Sequence, residues 1–329
     1  MRRRTVVLGA AAGAMLAASG ARAQQPGRKY RVGMIISAGG LAGRSYVAAA
    51  HEQLAKHGFV EGRNIDVDVR IPSGFGPGPA LAAAREVVAG KPDVVLSFGT
   101  ALTEAAIKAA DGIPVVFFWV ADPLGPGFVK DLAKPGGNVT GVSNRYFELT
   151  VKRLELAREL LPSAKRVAMV AVFFDPFVER TMQIAQRAAE HLGLDLLRIA
   201  SGGQWGGVIE SSQKAGAQAA LMLVPFTPFG ARLSLEEVIG RSIEGRFPVV
   251  FAEVEAVDAG GLLSYSNRFT NEVRRGVDML VRVLRGEDPG ALAVDQSARF
   301  ELAVNLRTAR AIGLMVPPSL MLRADRVIE

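Results

Sequence analysis

The chain has 329 residues, room for two domains with separate cores, and its 49% hydrophobic and 22% charged content is globular, not disordered or collagen-like. The absence of cysteine excludes disulfides, thiolate catalysis, iron–sulfur clusters and lipid attachment through a thiol, and three histidines leave little for a metal. Four of the 39 basic residues fall in residues 1–23, which hold no acid, so the remaining 35 against 32 acids give +3 instead of +7, a balance that argues for no nucleic-acid partner.

Met1-Arg2-Arg3-Arg4 is a positive start, Thr5 to Gly20 is uncharged and Ala-rich, and Ala21-Arg22-Ala23 fits the small-x-small rule of signal peptidase. Residues 1–23 are therefore expected to be a signal peptide cut after Ala23. The apolar run is shorter than the ~20 residues of a spanning helix and contains Gly and Ser, so no membrane insertion is expected after cleavage. The paired arginines before Thr5 leave the general and the twin-arginine export routes both open.

From Arg31 onward short apolar runs alternate with amphipathic stretches, the pattern of βαβ units and a parallel sheet. Strands are expected at 31–36, 64–70, 93–98 and 114–120, with helices at 46–57, 81–89 and 100–110; the Pro/Gly-rich stretch 72–79 reads as loop. A second Pro/Gly-rich region, 122–141, marks a boundary near residue 145. Beyond it helices at 149–161, 178–192 and near 208–215 alternate with strands at 166–172, 194–200, 219–224 and 248–252. A strand at 261–264 follows, then a helix whose apolar face is Val273, Val277, Leu280, Val281 and Leu284.

Loops after strand carboxyl ends form the crevice of a parallel sheet, and helix N-termini there favour anionic groups. In chain order these loops hold Ser37 to Gly40, Gly99-Thr100, Ala121-Asp122, Phe173 to Asp175, Pro225 to Thr227 and Ser264-Tyr265. None carries a G-x-S-x-G, a Walker loop or a G-x-G-x-x-G between strand and helix, so no enzyme signature, cofactor or metal is indicated. His51, His57 and His191 sit on or near helix ends, where structural roles are ordinary. Asp122 and Asp175 each precede a proline, and each reads equally as a turn initiator or as a ligand-binding carboxylate. Thr100 reads as a helix cap that also faces the crevice.

Three ordered blocks carry a resemblance: Gly58-Phe59-Val60-Glu61-Gly62-Arg63-Asn64-Ile65, then Ile113 to Phe117 leading to Asp122-Pro123, then Lys134-Pro135-Gly136-Gly137-Asn138-Val139-Thr140-Gly141. With Phe300 to Ala309, Gly313 to Pro318 and Ala324 to Glu329, they make the chain resemble the substrate-binding proteins of ABC transporters, the family that includes tryptophan- and tyrosine-type uptake proteins. The resemblance covers essentially the whole mature chain. It implies an α/β periplasmic-binding-protein type I fold, with two lobes, each a mainly parallel sheet flanked by helices, joined by a three-crossover hinge. Lobe one is expected from residues 24–144 and 261–293, lobe two from 145–260 and 294–329. The chain departs from the family in its Pro/Gly-rich loop at 72–79 and in Phe173-Phe174, where many relatives carry an Asn-containing turn.

The implied function is a periplasmic solute receptor that closes on a small molecule, an amino acid or other carboxylate and aromatic in the best-known branch, and delivers it to an ABC permease in the inner membrane. The ligand is expected between Ser37, Gly99, Thr100 and Asp122 of lobe one and Phe174, Asp175 and Phe226 of lobe two, with Gly99-Thr100 donating to a carboxylate, Asp122 accepting from an amine and the aromatic rings taking an apolar portion. Two rivals stay open: an exported α/β enzyme using Asp122, Asp175 or Glu253 as acid or base, and a sensor that presents its ligand to a membrane receptor.

Overall fold

The first half of the molecule is built by strands that all point the same way. The computed structural model describes residues 28–37, 40–74, 76–171, 176–201, 205–223 and 232–329. β1 (Tyr30–Ile35), α1 (Gly40–Lys56), β2 (Ile65–Arg70), α2 (Pro77–Ala89), β3 (Val94–Phe98), α3 (Gly99–Ala109), β4 (Val115–Val120) and β5 (Val139–Ser143) follow one another along the chain. The strands β3, β4 and β5 are buried at every residue, as a sheet covered on both faces requires. Helices α2 and α3 pack together over β1 to β4, while α1 lies on the opposite face.

The pattern then restarts with α4 (Tyr146–Leu160), β6 (Arg166–Ala171), α5 (Pro176–Leu192), β7 (Asp195–Ala200), α6 (Val208–Lys214), β8 (Ala219–Met222), α7 (Arg232–Glu244), β9 (Val249–Phe251), α8 (Val254–Asp258) and β10 (Leu263–Ser266). The chain returns to the first half as α9 (Phe269–Leu284), a 3-10 turn at Pro289–Ala291 and β11 (Asp295–Gln296). It ends in the second half as β12 (Glu301–Asn305), α10 (Leu306–Ala311), α11 (Pro318–Arg323) and β13 (Arg326–Ile328).

Two sheets result, one of six strands in the order β11-β5-β4-β3-β1-β2 and one of seven in the order β13-β12-β10-β9-β8-β6-β7. Every pairing is parallel except β10 with β12, so the first sheet gathers all its strand carboxyl ends along one edge and the second those of five of its seven strands, β12 and β13 running the other way. The first sheet shares one core with α9, including Phe269, Val273, Val277, Leu280, Val281 and Leu284. The second has a core on each face. This is the two-lobe α/β architecture.

The late boundaries differ from the expected ones. Leu263–Ser266 pairs with β9 and β12 in the second sheet, although residues 261–293 were expected in lobe one as a block. Asp295–Gln296 pairs with β5 in the first sheet, although 294–329 were expected in lobe two. The resemblance implied a late return of the chain to lobe one, but not the residue at which each crossing falls. The chain crosses between lobes at 144–145, 267–268 and 297–300, each time within a few residues of a strand or helix end.

One irregularity shapes the first lobe. Phe117 pairs with Gly141 and Val120 with Ser143, so β4 has one residue more than β5 over this span, a β-bulge. Trp119 lies in the bulge with φ of 61°, a left-handed conformation costly for a bulky side chain. The bulge depends on Gly141, since a Cβ there would stand 2.1 Å from the Phe117 carbonyl oxygen. Gly141→Ala should therefore destabilise the protein by about 1–3 kcal/mol or more, as overpacking against backbone does, seen as a lower urea midpoint with an unchanged slope.

Candidate functional site

A direct ion pair joins the two lobes beside the carboxyl ends of β4 and β6. Asp122 lies just past β4 and Arg180 in α5, which follows β6; Arg180 Nη2 donates to Asp122 Oδ2 at 2.9 Å. Asp122 Oδ1 also accepts from the backbone N–H groups of Leu124 and Gly125, at 3.0 and 2.9 Å. One oxygen of Asp122 thus holds the turn that the Asp-Pro step announces, and the other pairs with Arg180 across the cleft. Gly125 permits the approach, because a Cβ there would be 2.4 Å from Asp122 Oδ2. The Arg180 guanidinium also lies over the Phe147 ring, 5.5 Å from its centre.

In lobe one, Ser37 stands at the end of β1 with its Oγ buried and without a hydrogen-bond partner. Gly99 and Thr100 follow β3 with no intervening loop, because Gly99 takes φ of 66° and turns the chain straight into α3. Thr100 is not the cap expected from sequence: Phe98 is the N-cap, Gly99 and Thr100 are the first two helical residues, and no side chain caps the helix. Among the described residues no side chain caps the first-turn N–H groups of α3. Behind them stands an aromatic wall that the sequence reading missed. Trp119 stacks on Phe269 with ring centres 3.7 Å apart, and Tyr46 and Phe98 stack on the same ring at 5.2 and 5.7 Å. Its signal was dispersed over four elements, so no local pattern could reveal it.

In lobe two, Phe174, Asp175 and Phe226 lie outside the described residues. The described strand ends hold a buried polar network instead. Arg153, on α4, donates from Nε to the Tyr265 carbonyl and from Nη2 to the Ala252 carbonyl, both at 2.9 Å, and lies over the Tyr146 ring at 4.9 Å. The Tyr146 hydroxyl donates to the Leu223 carbonyl. Burial pushes the Tyr146 phenol up to about 12 and pushes the Arg153 guanidinium down, against the opposing pull of Tyr146 and Glu253. Arg153 Nη1 is buried without a partner, and Glu253 is completely buried beside this network.

Two of the three acid–base candidates, Asp122 and Glu253, lie among the described residues. Glu253 is sealed from solvent, and both oxygens of Asp122 are engaged. Among the described residues no group of three or more His, Cys, Asp or Glu side chains is placed to hold a metal, and no helix is long and apolar enough to cross a membrane. His57 Nε2 lies 2.6 Å from Asp278 on α9, and His191 Nδ1 lies 2.7 Å from the Arg187 carbonyl, both helix-surface contacts.

The model of the family described as ABC transporter substrate binding protein matches residues 32–328, and the chain belongs to that family. It is 25% identical over 266 residues to a "Tyrosine-binding protein" of Clostridioides difficile, covering 79% of this chain and 74% of that one. Its fold is similar to that of a conserved domain protein from Vibrio cholerae, with a TM-score of 0.81, 24% identity and coverage of 91% and 100% of the two chains. An ABC domain from Streptococcus pneumonia in complex with L-Trp gives 0.78, 21%, 91% and 100%. The family is one of solute-binding proteins that act outside the cytoplasm, and the two-lobe architecture is that of type I periplasmic binding proteins.

Two outcomes follow from this geometry. Arg180→Met keeps an apolar stem over Phe147 but removes the bond between lobes. Ligand dissociation should quicken by up to about 5-fold, the scale of a partly exposed ion pair, with the difference from wild type shrinking in 1 M salt when followed by stopped flow. The Tyr146 phenol, held near 12 against 10 in an unfolded chain, keeps its proton longest when folded. Folding stability should then fall as pH rises from about 10 to 12, by about 2 to 3 kcal/mol. Tyr146→Phe should lose that slope in urea titrations while costing about 1 kcal/mol at neutral pH.

Proposed function

We propose that the chain is the periplasmic receptor of an ABC importer and that its cargo is a free amino acid, aromatic by preference, held between the lobes. The observation that carries this reading is unfilled donor capacity on the lobe-one side of the cleft. The N-terminus of α3 has no side-chain cap, Thr100 is half-exposed beside it, and Ser37 Oγ is buried with no partner. Such donors suit a carboxylate. The curated relative is a tyrosine-binding protein and the solved pneumococcal relative holds L-Trp, which favours an α-amino acid over a sugar.

On this reading Ser37, Gly99, Thr100 and Asp122 line the ligand from lobe one, and Phe174, Asp175 and Phe226 face them from lobe two. An ammonium group reaching Asp122 Oδ2 competes with Arg180, so the residue links amine recognition to closure of the cleft. Residues 1–23 are removed on export, and the closed form is what a permease in the inner membrane recognises across both lobes. The reading involves no covalent chemistry, cofactor or metal.

Native mass spectrometry of protein purified without refolding tests the ligand class directly, and an adduct of amino-acid mass is expected. In calorimetry with L-tyrosine and L-tryptophan, Ser37→Ala and Thr100→Ala should each weaken binding about 10-fold, as loss of one hydrogen bond to a charged group does, with little change in melting temperature. Unchanged affinity in both variants would put the ligand on other loops.

A further inference from the structure

Two of the three crossovers meet on one buried carboxylate, and a backbone bond ties the remaining one to them. Glu272, in the first turn of α9, is 1% exposed. Its Oε1 accepts from Asn267 Nδ2 at 2.9 Å, and both its oxygens lie 2.7 Å from the Ser297 hydroxyl. Asn267 belongs to the second crossover and Ser297 to the third. Ser297 in turn donates its backbone N–H to the Ser143 carbonyl, at 2.9 Å, at the start of the first crossover. Asn144, Asn267 and Ser297 are all nearly sealed from solvent, at 1%, 3% and 1% exposure. One carboxylate thus joins chain positions more than 120 residues apart into a single hydrogen-bonded chain: Ser143, Ser297, Glu272, Asn267.

Charged side chains brace the same point from both lobes. Arg275, one turn along α9, donates to Asp295 at 2.5 Å and to the Gln296 carbonyl at 3.1 Å, fixing the approach to the third crossover. Arg268 forks onto both oxygens of Glu301, at 2.9 and 2.8 Å, and onto Asp258 at 2.8 Å, so lobe two grips the start of α9. Glu255 of lobe two accepts the Phe269 N–H at 3.0 Å. The body of α9 packs in the core of lobe one. Its start is therefore held from both lobes, by bonds to Glu255, Glu301 and Asp258 of lobe two and by the Phe269 ring packed in lobe one.

We propose that Glu272 is a positioning residue for lobe closure: its carboxylate locks the three crossovers into one pivot, so that the lobes move about a single axis toward one closed geometry. An apolar residue could fill the same volume without a buried charge, but it would leave the Asn267 amide and the Ser297 hydroxyl without their shared acceptor and free the crossovers to rotate separately. The proposal rests on closure between lobes, not on the identity of the ligand.

The test reads lobe geometry without ligand. The chain has no cysteine, so Lys108→Cys in lobe one and Glu244→Cys in lobe two, with side chains 62% and 70% exposed, give one dye pair for single-molecule energy transfer. Glu272→Gln and Ser297→Ala should each broaden the ligand-free distance distribution toward larger separation. Each should also move the open-to-closed ratio by about 10-fold, the scale of one hydrogen bond to a buried charge. Ser297→Ala, which removes only a hydroxyl, keeps the test available if the glutamine variant folds poorly. A lower melting temperature with the wild-type distance distribution in Ser297→Ala would show a purely structural role and overturn the proposal. Because no ligand is present, that result leaves the amino-acid reading standing, and failure of amino acids to bind leaves the pivot standing.

Discussion

Two parallel sheets can share one chain only if the chain passes between their cores while its polar groups stay bonded. A backbone N–H or C=O left unpaired in a buried waist costs as much as several good contacts contribute. The solution here is local and dense. Glu272 collects the side-chain donors of two crossovers, the Ser297 N–H meets the Ser143 carbonyl, and the Asn144 N–H meets the Val120 carbonyl at 3.1 Å. Arg145 takes φ of 54°, so that the first crossover can leave β5 and enter α4 without a loop. Burial pushes the carboxyls of Glu255 and Glu272 up, which marks the cost of placing charge there; the hydrogen bonds they accept offset it.

The same waist organises the aromatic cluster of the lobe-one core. Phe269 begins α9 at the pivot, and its ring is the one on which Trp119, Tyr46 and Phe98 all stack. Trp119 reaches it only because the bulge in β4 turns its backbone left-handed, and the bulge exists only because Gly141 leaves room beside Phe117. A glycine in β5, a strained tryptophan in β4 and the first residue of a hinge helix are one mechanical unit. Strain at Trp119 is tolerable because aromatic contacts on a buried ring over-determine its position.

The alternation of strands and helices was legible because each element had its own period and stop signals, and the amphipathic face of α9 proved buried at all five expected positions. Apart from Asp122, the residues of these blocks whose bonds are seen turn out to be scaffold. Asn64 bridges Val60 N–H and the Gly58 carbonyl, Asn138 donates to the Ile113 carbonyl, and Thr140 donates to the Leu292 carbonyl. Gly136 and Gly137, both at positive φ, pack so close to Gly290 that a Cβ on Gly290 would stand 2.6 Å from the Gly137 carbonyl oxygen. Motifs of this kind identify an architecture and say nothing of its cargo. The aromatic wall, the Arg153 network and the pivot were illegible for one reason: each is assembled from residues tens to hundreds of positions apart, with no spacing rule between them.

The Asp122–Arg180 pair shows how little a single contact across the cleft can contribute to closing it. Its bond to Arg180 is half in solvent, the arginine side chain being 54% exposed and the aspartate 20%, so it contributes about 0.2–1 kcal/mol to the closed form. Moving a two-state equilibrium from 1:99 to 99:1 takes about 5.5 kcal/mol of differential affinity. A clasp of this size can refine closure but cannot hold the cleft shut on its own. The remainder has to come from contacts that exist only when something fills the space between the lobes, and a stronger clasp would close the protein empty and blunt the difference between loaded and unloaded forms. A weak, exposed ion pair across the mouth and a rigid, buried pivot behind it together make the ligand the decisive term: the pivot fixes which closed geometry is reached, and the ligand decides whether it is reached.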